Sequence, residues 1–461
     1  MYRTENTNYA RAVTGLFARW RWGLVWATQS LFYCLPWLMW NDRQALLFDL
    51  AARRFYIFGL VLYPQDLIYL TALLMISAYA LFLFTAVAGR LWCGFACPQT
   101  VYTEIYMWFE RRIEGDRVQR MRLDAAPWGL NKFSRKFGKQ VVWLAFGLLT
   151  GFTLVGYFTP IRSLVSQLPS LGFGPWESFW ILFYGIATYG NAGYLREQVC
   201  KYMCPYARFQ SAMFDKDTLI ISYDTERGDP RGPRPRKADP AVLGKGDCID
   251  CGLCVQVCPT GIDIRQGLQY ECIGCAACID VCDGIMDKMH YRRGLIRYAT
   301  QNGLAQHFTR SQMLGRILRP RVLIYTAILA VICMAFALSL AGRDPFRVDV
   351  VRDRASLARQ IDEGKIENVY RLQIMNSAEA PQQYAVGVSG LPGISVAPGP
   401  AIDIGPAEAR WLTLSVRLPF EAAQAAGSGA HPIEFEVQRL PGPAGDKLVR
   451  LSEKSTFVVP R

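Results

Sequence analysis

Histidine is scarce in this chain: its 461 residues include only His290, His307 and His431. None lies in an apolar stretch, which excludes a bis-histidine haem buried in a helix bundle. Charge is thin too. Charged residues make up 19% and hydrophobic ones 51%, where soluble domains carry about 25% charge. That balance excludes a disordered chain and argues against an ordinary soluble enzyme. No Walker loop, no G-x-G-x-x-G after a strand and no defensible Ser/His/Asp set is present. Nucleotide, flavin and triad chemistry therefore lack their usual residues. Any electrons handled must come from a partner or a quinol.

What is present begins with five charge-free apolar runs, at 22–40, 67–89, 141–160, 178–195 and 322–341. Each is long enough for a helix crossing a hydrocarbon core of about 30 Å. Trp20, Trp22, Trp40, Tyr157, Trp180 and Tyr194 flank them, as interfacial aromatics do. The pattern predicts a five-helix transmembrane bundle. The first run comes after 21 residues without a small-residue cleavage site, so it predicts a retained helix rather than a cleaved signal.

Lys and Arg number 4 in residues 1–21, 10 in 90–139 and 19 in 196–321, against 3 in 41–66 and 1 in 161–177. The positive-inside rule puts the first three segments in the cytoplasm. It sends the C-terminal tail to the extracytoplasmic side. The tail, 342–461, balances 14 basic against 14 acidic residues, so the whole net charge of +13 falls on the cytoplasmic side. Topology and attraction to anionic lipid account for it, with no nucleic-acid partner.

The tail alternates apolar and other residues at Tyr370-x-Leu372-x-Ile374, Leu412-x-Leu414-x-Val416-x-Leu418 and Ile433-x-Phe435-x-Val437. Turn residues at Gly390–Gly393 and Ala397–Pro400 lie between. Period-two strands with frequent turns predict an immunoglobulin-like β-sandwich. It has no Cys, so it needs no disulfide in an oxidising compartment. A scaffold or docking role fits it better than catalysis.

Twelve of the 14 Cys fall into two patterns. Cys248-x2-Cys251-x2-Cys254-x3-Cys258-Pro259 is succeeded by Cys272-x2-Cys275-x2-Cys278-x3-Cys282. This is the bacterial ferredoxin run, twice, in which the fourth Cys ligates the other cluster. It predicts one [4Fe–4S] cluster on Cys248, Cys251, Cys254 and Cys282, and a second on Cys272, Cys275, Cys278 and Cys258. Zinc or disulfides fit eight cytoplasmic Cys at this spacing far less well. Asp283 replaces the Pro expected after the last Cys, which predicts a looser turn with all ligands kept. A Pro/Arg-rich linker over 224–239 predicts an extended, solvated lead into this domain.

The second pattern is Cys93-x3-Cys97-Pro98 and Cys200-x3-Cys204-Pro205, repeated at an offset of 107 residues. Each copy comes just after an apolar run, so the membrane region reads as two hairpins in parallel orientation. Helices continuing past the bilayer would put each Cys pair on one face, while the Pro disfavours helix at the second Cys. Four thiols at one membrane face suit Cu(I) or an additional iron–sulfur cluster. Buried structural Cys is the plainer alternative. Cys34 and Cys333 read as packing residues, and Met203 as a gap filler rather than a thioether ligand.

Together, these features resemble the FixG/RdxA/CcoG family of accessory proteins for cbb-type cytochrome c oxidase. The ferredoxin motif alone is unspecific. The paired Cys-x3-Cys-Pro units narrow the resemblance to membrane polyferredoxins, which include the NapH and NosR groups. The C-terminal sandwich separates the chain from NapH-like proteins. The lack of a large N-terminal flavin-binding domain separates it from NosR-like ones. The resemblance implies Cu(II) reduction to Cu(I), with copper at Cys93, Cys97, Cys200 and Cys204. It also implies oxidase assembly factors or a copper chaperone as partners, beside the lipid bilayer and an unidentified electron donor. A quinol-linked conduit to a respiratory partner and a non-catalytic copper-binding scaffold are the alternatives. The organisation expected is a membrane region over 1–223 with four spans, the linker over 224–239 and a ferredoxin domain over 240–290. After these come a connector over 291–321, a fifth span over 322–341 and the sandwich over 342–461.

Overall fold

A computed structural model of the chain describes residues 8–236, 242–353, 358–361, 364–397, 401–441 and 448–460. The chain divides into two compact units, one joining residues 1–48 to 68–336 and the other joining 49–67 to 337–461.

Among the described residues, three helices are long and apolar enough to cross a membrane: Pro64–Ala88, Leu130–Val155 and Pro320–Ala341. The other two apolar runs depart from the five expected spans. The first forms a helix over Leu16–Cys34 rather than 22–40. Pro36 sits in a 3-10 turn at Leu35–Trp37, and Met39–Trp40 is already extended. Proline lacks the N–H that would continue the helical ladder. The fourth run is α-helical over Pro175–Thr188 and then widens into a π-helical segment at Tyr189–Leu195. Helix Leu130–Val155 starts well before 141. Its early cations are neutralised within the fold: Lys139 Nζ lies 2.9 Å from Glu114 and Lys136 Nζ 2.6 Å from Asp124.

The ferredoxin fold reaches beyond 240–290. Strands Ile220–Tyr223 and Ile296–Ala299 pair antiparallel, with Ile220 opposite Ala299. Between them lie helix Leu253–Gln256, a 3-10 turn at Ile264–Gln266 and helix Ala277–Met289. Ile221, Ile279, Met286 and Ile296 share one core with Phe95, which lies between Cys93 and Cys97. The connector therefore gives its first strand to this fold.

The linker is extended and mostly exposed over 229–236, as expected, but it is tethered at two points. Thr225–Gly228 forms a helical turn. Beyond it, Arg234 donates to Tyr291 Oη at 3.0 Å and to the Cys248 carbonyl at 3.4 Å. The Arg234 guanidinium thus finds acceptors on the ferredoxin surface while its neighbours stay in solvent. Positions 237–239 lie outside the described residues. The looser turn expected at Asp283 does not form. Helix Ala277–Met289 runs through it, and its carboxylate accepts the Gly294 N–H at 2.9 Å. Aspartate keeps the backbone donor that a proline would remove.

The second unit holds two antiparallel sheets. One orders Ser395–Ala397, Ala409–Leu418, Ile366–Asn376 and Phe346–Arg352, with Arg359–Gln360 also paired to Ile366–Asn376. The other orders Ile402–Ile404, Gln382–Ser389, Gly429–Arg439 and Val449–Val459. The alternating Tyr370, Leu372, Ile374, Leu414, Val416, Leu418, Ile433, Phe435 and Val437 are all buried. The turn at Gly390–Gly393 forms, and positions 398–400 of the second expected turn lie outside the described residues. Segment 49–67 belongs here as well. It forms a hairpin, Arg54–Ile57 with Leu60–Leu62, and buried Asp66 pairs with Arg343 at 2.6 Å and Arg347 at 3.2 Å.

Candidate metal centres

In both ferredoxin halves the residues flanking the middle Cys have positive φ: Asp250 (54°) and Gly252 (64°) around Cys251, Gly274 (70°) and Ala276 (61°) around Cys275. Such a local fold turns successive N–H groups inward, forming the nest that surrounds anionic iron–sulfur groups. Aspartate and alanine adopting left-handed backbone is the cost of that cradle.

The thiols lie close enough to act on one another. Burial pushes the Cys282 thiol up to about 12, and Cys254, Cys248, Asp283 and Cys251 push it the same way. Burial holds Cys278 far above the ordinary thiol range, with Cys275, Cys272, Cys258 and Cys254 adding to the effect. Cys254 acts on both. Sulfurs this buried stay protonated on their own, and a cationic metal centre makes them thiolates. Cradle and donor set both fit iron–sulfur clusters. Among the described residues no three His, Cys, Asp or Glu side chains converge on a single ion. A cubane spreads its four irons over separate corners, so its thiolates stand farther apart than the ligands of one ion.

The Cys-x3-Cys-Pro units are built by helix breaks rather than by helices running on. Helix Leu67–Ala88 ends before the short helix Leu91–Phe95, which carries Cys93. Cys97 is extended and caps helix Pro98–Glu114. In the second copy Cys200 lies in a π-helical turn, Val199–Met203, and extended Cys204 caps helix Pro205–Met213. The pairs thus do not sit at i and i+4 of one α-helical face.

The fold nevertheless brings the copies together. Burial pushes Cys200 up to about 12, with Cys97, Cys93 and Cys204 adding to the effect. Burial raises Cys93 to about 11, against a hydrogen bond from Gln210, and Cys97 and Cys204 again press on it. Gln210 is fully buried, with Nε2 at 3.4 Å from Cys93 Sγ. Buried Arg90 donates to the Ala207 and Tyr270 carbonyls, tying the second copy and the ferredoxin fold to the first. Cys93 and Cys200 pack against the cluster of Ile273 and Cys275. A Cβ on Gly94 would fall 2.7 Å from Cys275 Cα. Cys93 and Cys200 therefore stand directly against the second ferredoxin quartet.

Sequence reasoning missed Gln210, Arg90 and Gly94. None left a mark in the sequence: shifted by the repeat offset, Gln210 falls on Thr103, a different residue. Cys34 and Cys333 are free thiols on helices Leu16–Cys34 and Pro320–Ala341, and Met203 is 60% exposed.

Known proteins resemble the chain along the same division. A 4Fe-4S dicluster domain family matches residues 195–301, and a 4Fe-4S binding domain family matches 70–115. The family described as "IG-like fold at C-terminal of FixG" matches 336–460. A solved FixG-related protein from Vibrio parahaemolyticus is 25% identical, covers 25% of this chain and 97% of its own, and has a TM-score of 0.21. Nitrogen fixation protein FixG of Rhizobium meliloti (strain 1021) is 36% identical over 427 residues, 86% of this chain and 82% of its own length. Protein RdxB of Cereibacter sphaeroides is 38% identical over 402 residues, covering 84% and 83%. With that identity across most of both lengths, and 4Fe–4S domains in place, the chain is an iron–sulfur redox protein belonging to the FixG/RdxA family.

Proposed function

We propose that this chain is an inner-membrane electron-transfer protein that reduces Cu(II) to Cu(I) for assembly of a cbb-type cytochrome c oxidase. The observation that supports it is the meeting of the two Cys-x3-Cys-Pro units, where Cys97, Cys93 and Cys204 act on Cys200, and the packing of Cys93 and Cys200 against the Cys275 loop. Cys248, Cys251, Cys254 and Cys282 hold one [4Fe–4S] cluster, and Cys272, Cys275, Cys278 and Cys258 the other. Bound there, the clusters supply one-electron redox chemistry. The four outer thiols offer soft ligands to copper, drawing in around it because no three of them stand ready about one ion. Copper enters as Cu(II), gains one electron and leaves as Cu(I), the better match for thiolate carriers. The electron transfer itself moves no proton, while copper binding displaces the thiol protons to water. Five helices in the bilayer, cytoplasmic clusters and a periplasmic sandwich that docks assembly factors or a copper chaperone complete the reading.

A second reading has one observation in its favour: a 4Fe-4S binding domain family matches residues 70–115, which include Cys93 and Cys97. The outer thiols would then hold a third cluster. The experiment pairs iron analysis with copper assays on Cys97→Ser/Cys204→Ser. The copper reading expects about eight iron per chain in both proteins, with copper binding and Cu(II) reduction lost only in the variant. About twelve iron in the parent, falling in the variant, would replace copper with a cluster. Unchanged copper reduction in the variant would make these Cys structural.

A further inference from the structure

Helix Leu16–Cys34 lays one stripe on the ferredoxin fold. Phe17 and Leu24 pack against the core that holds Cys254, Cys278 and Cys282, and Arg21 stands between them at helical spacing. The stripe calls for an apolar residue there, yet the chain supplies a permanent cation that is only 8% exposed. Asp280, capping the helix at Phe17 and Ala18, fixes how far Arg21 reaches. The guanidinium comes within hydrogen-bonding reach of the Cys275 thiol, and Glu104 and Asp280 are the carboxylates facing it. Arg21, Glu104, Cys275 and Cys200 also line one cavity of about 40 Å³. That is room for a few waters, too little for a bound substrate.

Burying a guanidinium is costly unless negative charge answers it. Glu104 is one such partner, and a cluster on Cys272, Cys275, Cys278 and Cys258 is a second. Four thiolates make that cluster anionic, and reduction adds one more negative charge where water is excluded. Net charge, hydrogen bonds to sulfur and solvent exposure set cluster potentials. Burial raises the Cys275 thiol, and Arg21 is the charge that most opposes that effect. The first quartet is built differently: Cys251 is exposed, and Arg265 is held in ion pairs by Asp250 and Asp263. Arg90, the other buried cation beside the second quartet, is committed to the Ala207 and Tyr270 carbonyls.

We propose that Arg21 is a redox-tuning residue, its buried guanidinium offsetting the charge that the second cluster gains on reduction and so raising that cluster's potential. The inference rests on the proposed function, in which this quartet carries electrons singly toward Cu(II). One electron enters from a one-electron reductant, no bond is made or broken, and the same electron leaves to copper. Arg21 keeps its proton throughout.

The test is an anaerobic redox titration of the full-length, cluster-loaded protein in detergent, with dithionite as reductant and no copper, read by cluster absorbance and electron paramagnetic resonance. Cys275→Ser marks the second cluster's wave by displacing or removing it. Arg21→Gln should make that cluster at least tenfold harder to reduce, about 59 mV for one electron, and leave the other wave in place. Arg21→Lys keeps the charge and should restore the wave to within about threefold of the parent. A purely structural Arg21 would change iron content or thermal midpoint and leave the potential alone. If Arg21→Gln lost iron, the double variant Arg21→Gln/Glu104→Gln leaves no lone buried carboxylate. Its second wave should still fall, because Arg21 acts on Cys275 more strongly than Glu104 does. A second wave that ignores the loss of Arg21, an equal fall in Arg21→Lys, or a shift confined to the first cluster would each overturn the assignment. Dithionite-reduced parent protein that fails to reduce Cu(II) would remove the copper reading and leave a shifted wave standing. Normal Cu(II) reduction with an unshifted wave would do the reverse.

Discussion

Asp280 lies two residues from Cys278 and two from Cys282, between a ligand of each quartet. Its carboxylate accepts the Phe17 N–H at 3.1 Å and the Ala18 N–H at 2.7 Å. These amides open helix Leu16–Cys34 and have no partner within it, so a ferredoxin side chain caps a helix more than two hundred residues away in sequence. Gly15 makes the approach possible, since a Cβ there would fall 2.3 Å from Asp280 Cγ. Asp280→Asn keeps the shape but loses a charge-assisted pair, at a cost of about 1–2 kcal/mol. A lower thermal midpoint of cluster absorbance should report it, and Gly15→Ala should lower the midpoint too. An unchanged midpoint in both would show that the cap is dispensable. Gly94→Ala makes a different test. Its Cβ would meet the Cys275 backbone, which cannot swing aside as a flexible side chain can, so the outer thiols should separate from the second quartet. Iron content should hold while single-turnover Cu(II) reduction slows by tenfold or more. Equal rates in Gly94→Ala and the parent would argue against transfer across this contact. The eight ferredoxin Cys were legible because their spacing is local. Asp280, Gly15 and Gly94 were not, because each matters only through a partner far along the chain.

At the scale of elements, the two Cys-Pro units show which local rules were enough. Proline suits the first turn of a helix and disfavours helical backbone at the residue before it. An extended Cys97 and Cys204 opening new helices could therefore be read from sequence. The π-helical widening at Tyr189–Leu195 and Val199–Met203 could not, because apolar content has the same look in α and π geometry. Such segments gather at functional sites, and this one delivers Cys200. In the β-unit, alternation fixed the buried face of each strand, while pairing order depended on contacts across the sheet. There Glu367 is nearly fully buried, with Arg417 Nε at 2.9 Å and Arg359 also paired to it. Burial opposes its charge, but the two guanidinium hydrogen bonds win and hold its carboxyl below the ordinary range. A carboxyl depressed in the folded state adds stability above its unfolded pKa, about 4.3. That stability is lost as pH falls through the lower folded value. Protection of the Ile366–Asn376 amides, corrected for intrinsic exchange, should therefore fall on acidification below about pH 4.3. The acid loss should be smaller in Glu367→Gln. Identical acid limbs would assign the loss to other carboxylates.

For the whole molecule, charge distribution carries the topology. A reporter fused after Arg461 should be active only in the periplasm, and one placed within 225–240 only in the cytoplasm. The reverse pattern would put the Cys quartets on the oxidising side and overturn the charge argument. A third reporter, placed ahead of helix Leu16–Cys34, tests the five-span reading, since three helices are long and apolar enough by themselves. On that reading helix Leu16–Cys34 and the α–π run over Pro175–Leu195 would supply the other two crossings. An even number of crossings would place both chain ends on one side.

The sequence by itself determined chemistry that depends on near neighbours: which Cys form the ferredoxin runs, where prolines break helices, and which strand faces are buried. Tertiary structure alone decided what depends on distant neighbours. It brought Cys93, Cys97, Cys200 and Cys204 together, drew strands Ile220–Tyr223 and Ile296–Ala299 around the ferredoxin fold, and gave the 49–67 hairpin to the β-unit. The physical reason is the range of the forces that leave a mark on sequence. Backbone sterics and hydrophobic periodicity act within a few residues. Buried hydrogen bonds and close backbone approach, such as Asp280 on the Leu16–Cys34 helix or Gly94 on Cys275, are specified only once the chain has folded back on itself.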